Sequence, residues 1–282
     1  MRMFPAIMAV AAIAFFAPAG AADWKEGAKV RIATEGAYPP WNDTDASGKL
    51  VGFEIDLAAD LCRRMKVTCR MIPRAWEGII PALRAGEFDA IMSGMAITGK
   101  RKKLITYSRP FAASPHVFVV RAGGPLAGVS TKAASVTLGS LDAGEKAAIE
   151  TLRRAFAGKK IGAQAGTVFV NFLRIHMADR AGIRTFKYQG DVDAALLAGR
   201  VDALFAQTSY LKPVLDKAKE KLKVVGPGFT GGSLGEGIGV GIRKEDRALA
   251  DMFSKAITAA IEEGTLSRLS LKWFGFDLSA KE

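Results

Sequence analysis

The sequence predicts an α/β protein built as two similar lobes, and two internal echoes support this. A strand-like run ending in a glycine-containing loop occurs twice: residues 30–34 (VRIAT) lead into 35–41 (EGAYPPW), and 160–164 (KIGAQ) lead into 165–167 (AGT). A helix-to-strand passage also occurs twice, as LRAGEFDAIM from Leu83 and as LAGRVDALF from Leu197. In each copy a helix should end at glycine (Gly86, Gly199), the residue that best tolerates a left-handed cap, and an apolar strand should open at Asp-Ala. Two copies of strand, loop, helix, glycine and strand describe two α/β units.

In chain order, the first segment concerns export. Arg2 is followed by the apolar run 6–17 (AIMAVAAIAFFA), then 18–22 (PAGAA) and the polar Asp23. A basic tip, a short apolar stretch and small residues before a polar start form a secretory signal peptide over residues 1–22. The run falls short of the ~20 residues that span a bilayer; a buried core helix is the competing reading. The mature chain is expected in the periplasm. Of the 282 residues of the full sequence, 49% are hydrophobic and 24% charged, the balance of a globular protein with room for two cores.

The formal charge of +12 becomes +11 once Arg2 is removed. Taken alone this suggests an anionic partner. The Lys and Arg residues are spread along the chain, however, and the densest stretch, 212–223 (KPVLDKAKEKLK), contains Asp216 and Glu220 and reads as a solvated helix face. Export argues against nucleic acid. Cys62 and Cys69 are the two cysteines. A close pair in an oxidising compartment reads as a disulfide, with two reduced thiols as the alternative. A metal site is disfavoured because no His or carboxylate cluster lies nearby, and no cofactor is expected.

Helical pattern follows each strand–loop unit, over 53–65 and 168–177. Residues 226–241 are rich in glycine, and the amphipathic segment 248–273 then needs an apolar surface to cover. We therefore expect the chain to cross back near 236–239 and complete the first lobe, having crossed outward near 111–114. Lobe 1 would comprise 23–112 plus 239–282, and lobe 2 would comprise 113–238. Two crossings make a hinge that can close on a ligand. In parallel sheets, ligands gather in the loops at the carboxyl ends of strands: here 35–41, 93–101, 165–169 and the stretch after Phe205.

VRIATEGAYPPWN, GFEIDLAADLCRRMKV, WEGIIPALRAGEFDAIMSGMAITGKRKKLITYS, GKKIGAQAGT, AGRVDA, GVGIRKED and GTLSRLSLKWFGFD together resemble the family 3 solute-binding proteins of polar amino-acid ABC importers. The resemblance is to the lysine/arginine/ornithine/histidine-binding type, closest to the octopine and nopaline branch, and it runs in order along the mature chain. It implies the two-lobed type II periplasmic-binding-protein fold. It also implies a monomer that captures a basic amino acid or its opine conjugate and hands it to an inner-membrane ABC permease.

Thr98 is a plausible helix N-cap, with Arg101 in the first turn after it. A guanidinium there can grip a carboxylate in two places, and the resemblance assigns Arg101 to the ligand's α-carboxylate. Membership of a solvated run with Lys100, Lys102 and Lys103 is the competing reading. Thr167 would present a backbone N–H to the same carboxylate at a helix start, and Gly94 and Ala96 would add backbone groups from the other lobe. Glu35, at the end of the first strand, could meet a distal guanidinium or ammonium. The resemblance places the rings of Tyr38 and Trp76 around the ligand, although Trp76 could also be core. Trp41 reads as packing, and Asp89 and Asp202 as structural.

Gln207 departs from the family pattern, which usually has Asp there to hold the ligand's α-ammonium; Ala96 likewise replaces a common hydroxyl residue. An amide cannot neutralise an ammonium, so both changes favour a ligand whose α-nitrogen is substituted, or arginine held more loosely. Gln164 and His116 could adapt the pocket to an extra group, with simple packing equally open for His116. No chemical turnover is expected. The alternative is a solute-binding-fold enzyme of the cyclohexadienyl dehydratase type, against which the central residues Ala96, Thr167 and Gln207 offer no acid or base.

Overall fold

The computed structural model describes residues 24–218 and 220–280; the expected signal segment 1–22 lies outside them. The strand Lys29–Thr34 alternates exposed and buried residues before turning wholly inward, as a strand does when its end runs into a core. It pairs in parallel with Thr68–Pro73 on one side and Ala90–Ile91 on the other. Gly241–Ile242 and Thr106–Tyr107 complete this five-stranded sheet. In the second sheet Lys160–Gln164 holds the equivalent place, parallel to Gly182–Phe186 and to Ala203–Gln207. His116–Arg121, Leu222–Thr230 and Ser135–Thr137 extend that sheet to six strands. The echo in the sequence is thus an echo in topology: a central strand flanked by its successor and by the Asp-Ala strand.

The cap glycines adopt the expected conformation. Gly86 has φ +79° and Gly199 φ +72°, just beyond the helices Ile79–Arg84 and Gln189–Leu197. Each donates its N–H back to a helix carbonyl, Leu83 O and Leu196 O respectively. Asp89 anchors the start of its strand by accepting from Arg31 and Arg243, and Asp202 accepts from the Lys160 backbone. Both serve structure.

The two sheets have separate aromatic cores. Trp41, Phe53 and Phe274 meet edge to face in the first. In the second, Phe118, Phe172, Phe205 and Phe229 form one cluster, with Phe172 stacked on Phe205 at 4.4 Å. The passages between sheets run side by side: Ala112 bridges Ile238, and Ile238 also bridges Ala96. The C-terminus lies along the same place, where Ala112 also bridges Ser279 and Ala113 donates to Leu278 O.

One expectation is corrected. The basic stretch 212–223 is not one helix face: the helix Thr208–Lys217, with Pro213 inside it, stops before the strand Leu222–Thr230. The C-terminal amphipathic segment is two helices, Arg247–Glu262 and Thr265–Phe274, broken at Gly264 with φ +70°. The break lets the last helix turn back onto helix Phe53–Arg64, where Trp273 Nε1 donates to Asp56 at 2.8 Å.

Cys62 and Cys69 are bonded, fastening the end of helix Phe53–Arg64 to strand Thr68–Pro73. Closing so short a loop restricts the unfolded chain by about 2–3 kcal/mol. Cys62→Ser with Cys69→Ser should lower the unfolding free energy by about that amount in urea titration while leaving the fold intact.

Candidate functional site

A cavity of about 340 Å³ lies between the carboxyl ends of the strands of the two sheets. Glu35, Tyr38, Trp76, Gly94, Ala96 and Arg101 line it from the first sheet's side, and Gln164, Thr167 and Gln207 from the second's. His116 does not line it. It faces an adjoining cavity that shares Ala96 and Gln207 with the first. Ser93, Val168 and Phe169 also line the first cavity. They had not been singled out, although they sit in two of the loops that the strand-end rule marks.

One wall is acidic. Glu35 follows directly on strand Lys29–Thr34, and its backbone N–H donates to Ser93 Oγ at 2.9 Å. Its carboxylate accepts from Gln164 Nε2 at 2.7 Å, a bond that joins the two sheets' loops. Burial pushes this carboxyl up to about 7, against the lowering effect of the Gln164 side-chain donor and the Trp76 backbone donor. Among the described residues no cation pairs with it.

The other wall is basic. Thr98 caps the short helix Gly99–Lys102 by accepting from Arg101 N. Lys100, Lys102 and Lys103 point to solvent while Arg101 turns inward and is 9% exposed. The solvated-run reading of Arg101 therefore fails. Its guanidinium lies 5.0 Å from the centre of the Trp76 ring and donates to Ala96 O at 3.0 Å. Among the described residues no carboxylate pairs with it, and burial lowers its affinity for the proton. Opposite stands Thr167, the N-cap of helix Val168–His176, whose hydroxyl donates to Gln164 O and so caps none of the helix's own N–H groups. Those first N–H groups have no intrahelical acceptor. Gly166, with φ +71°, lets the backbone pass close to Trp76; a Cβ there would lie 3.4 Å from Trp76 Nε1.

Between these walls Tyr38 stacks on Tyr210 at 4.4 Å and donates to Gln207 Oε1 at 3.4 Å. Behind them is a buried acid that had not been anticipated: Asp193 accepts from Tyr210 Oη at 2.6 Å and from Gln189. Burial raises its carboxyl. It sits in the helix of the second Gly-cap motif, and its sequence context gave no sign of burial. Gly94 needs a correction. Its N–H already donates to both oxygens of Glu54, which Asn42 also holds, so that N–H is not available to a ligand. Ala96 O is likewise engaged, by Arg101. Trp41 packs as expected and also donates to Ser209 Oγ across the sheets.

Residues 30–276 match the model of the bacterial extracellular solute-binding proteins, family 3. The chain belongs to that family. It is 36% identical to the octopine-binding periplasmic protein of Rhizobium meliloti over 285 residues, covering 94% of this chain and 96% of that one. Among solved structures it is similar to a periplasmic His/Glu/Gln/Arg/opine family-binding protein from Silicibacter pomeroyi in complex with lysine (30% identity, TM-score 0.71, 89% of this chain and all of that one). It is also similar to the ancestral amino acid-binding protein AncCDT-1, described as a precursor of cyclohexadienyl dehydratase (28% identity, TM-score 0.70, 87% and 95%). The two-lobed type II fold that the repeat and the resemblance implied is the fold of these neighbours.

Glu35 yields a prediction about pH. Its folded-state carboxyl titrates near 7 rather than 4.5, so the folded chain holds the proton more tightly than the unfolded one. Its contribution is therefore present below about pH 4.5 and is lost as pH rises toward 7, by at most about 3 kcal/mol. In urea titrations between pH 5 and pH 8, Glu35→Gln should lose about 2 kcal/mol less stability than wild type. Equal losses in both would mean that water reaches Glu35 in the ligand-free chain.

Proposed function

We propose that the mature chain is the periplasmic solute-binding component of an ABC importer, taking a basic amino acid or its opine conjugate of the arginine, octopine or nopaline class. The observation that carries this reading is the pair of uncompensated charges in one cavity. A buried guanidinium without a carboxylate and a buried carboxylate without a cation each carry a desolvation cost of several kcal/mol. A ligand with an anionic end for Arg101 and a cationic end for Glu35 removes both costs, and the Trp76 and Tyr38 rings suit the span between. The named ligands of the relatives support the same chemistry.

In this reading the ligand's α-carboxylate meets Arg101 and the N–H groups at the start of helix Val168–His176, while its distal guanidinium meets Glu35. The lobes 23–112 plus 239–282 and 113–238 close about the crossings at Ala112 and Ile238. Gln164 releases Glu35 to the ligand or shares it. The protein acts as a monomer, is exported by its 1–22 segment, and delivers its ligand to an inner-membrane permease without chemical change. Likeness to AncCDT-1 raises the dehydratase alternative. That chemistry needs an acid or base at the reacting centre; Ala96, Thr167 and Gln207 supply none, and Glu35, the acid lining this cavity, is assigned here to the ligand's distal end.

Calorimetric titration of the mature chain with arginine, octopine, nopaline and histidine should show binding of the guanidinium-bearing ligands, and no consumption of prephenate or arogenate. Arg101→Ala should weaken every ligand by at least about 100-fold, the scale expected when a buried charged partner is removed. Glu35→Gln should weaken arginine about tenfold more than its neutral isostere citrulline. Turnover of prephenate, or equal mild effects of both substitutions on all ligands, would overturn the reading.

A further inference from the structure

Tyr38 lines the first cavity from a strand only two residues long, Ala37–Tyr38. So short an element does little by itself to fix the plane of a ring. The backing comes from the second sheet's side, where Tyr210 stacks on Tyr38 with ring centres 4.4 Å apart and planes inclined by 16°. Tyr210 lines neither the first cavity nor the adjoining one, so it covers the face of Tyr38 that is turned away from them. The Tyr38 hydroxyl reaches Gln207 Oε1 at 3.4 Å, a long bond that leaves most of the ring's restraint to the stack.

Tyr210 is held from behind in turn. Its hydroxyl donates to Asp193 at 2.6 Å, and Gln189, one helical turn before Asp193, donates to the other carboxylate oxygen at 3.2 Å. Gln189, Asp193 and Tyr210 are all buried, and among the described residues no cation pairs with Asp193. A short hydroxyl-to-carboxylate bond is stronger than one between neutral groups, and it offsets part of the cost of burying that carboxylate. The helices Gln189–Leu197 and Thr208–Lys217, which carry the pair, pack on strand Ala203–Gln207 of the second sheet. Tyr38 instead follows the central strand of the first sheet. The anchor thus lies wholly in one unit and the ring it steadies in the other.

We infer that Tyr210, fixed by Asp193, is a positioning residue that holds the Tyr38 ring against the bound solute when the two units are together, and so sets how long the closed complex lasts. This rests on the basic-ligand reading above and adds to it a determinant that touches no ligand. Loss of the backing leaves Arg101 and Glu35 untouched, so capture should proceed as before while release quickens.

Stopped-flow fluorescence of the mature chain with arginine and with octopine separates the two rates, Trp76 in the cavity wall serving as reporter. Tyr210→Ala should raise koff at least about fivefold, the scale of one aromatic pair. It should change kon by less than about twofold, because such substitutions act mainly on release. In a Tyr38→Ala background the same substitution should change koff by less than about twofold, since the ring it serves is gone. A purely structural role would act equally in both backgrounds. Asp193→Ala should also speed release, and Asp193→Asn, which keeps an acceptor for Tyr210 Oη, should do so less; this pair decides the matter if Tyr210→Ala does not fold. Equal effects of Tyr210→Ala with and without Tyr38, a loss carried by kon, or an unchanged koff in Asp193→Ala overturns the positioning role alone. Failure of wild type to bind either ligand overturns the basic-ligand reading and the positioning role with it.

Discussion

Two groups of opposite charge, Arg101 and Glu35, buried in one cavity with no ion-pair partner among the described residues, dominate this structure. Arg101 has a ring, a carbonyl and its own cap for neighbours; Glu35 has an amide and a backbone N–H. Hydrogen bonds of this kind satisfy geometry but return only part of what dehydrating an ion costs. Packed hydrophobic residues in their places would serve the stability of the fold better. On the proposed reading, that cost is a standing demand for a ligand of complementary charge.

The fold holds these groups in place by devices that touch no ligand. Asp89 ties the Asp-Ala strand to the first strand and to Arg243, so the loops carrying Glu35 and Ser93 start from fixed positions. Glu54, fully buried, binds the Gly94 N–H with both oxygens and is itself held by Asn42, which pins the loop leading to Ala96 and Arg101. Trp76 separates Arg101 from Gly166, whose φ of +71°, a conformation that favours glycine, turns the second sheet's loop past the ring. Rigid strand ends and short, tied loops are what a preorganised site requires.

Contacts between the two sheets' loops include Glu35 with Gln164, Tyr38 with Gln207 and Tyr210, and Trp41 with Ser209. Single hydrogen bonds of this sort contribute about 1 kcal/mol each, small beside the aromatic core within each sheet. On the proposed reading the paired crossings at Ala112 and Ile238 are the pivot about which the two units close.

Much of this was legible in the sequence because local rules govern it. The paired Gly-caps, the Asp-Ala strand starts, the Thr98 cap before Arg101 and the Cys62–Cys69 pairing depend on residues a few positions apart. The strand-end rule also placed the loops around the cavity. The sequence could not show that Arg101 turns inward while its lysine neighbours stay in water, that Gly94 is already spent on Glu54, or that Asp193 lies buried behind Tyr210. Nor could it show that His116 belongs to a second cavity instead of the first. Each of those facts is set by a partner 17 to 113 positions away or by burial among several elements at once. The electrostatics of a buried group depend on everything that has displaced its water, and only the assembled chain determines that.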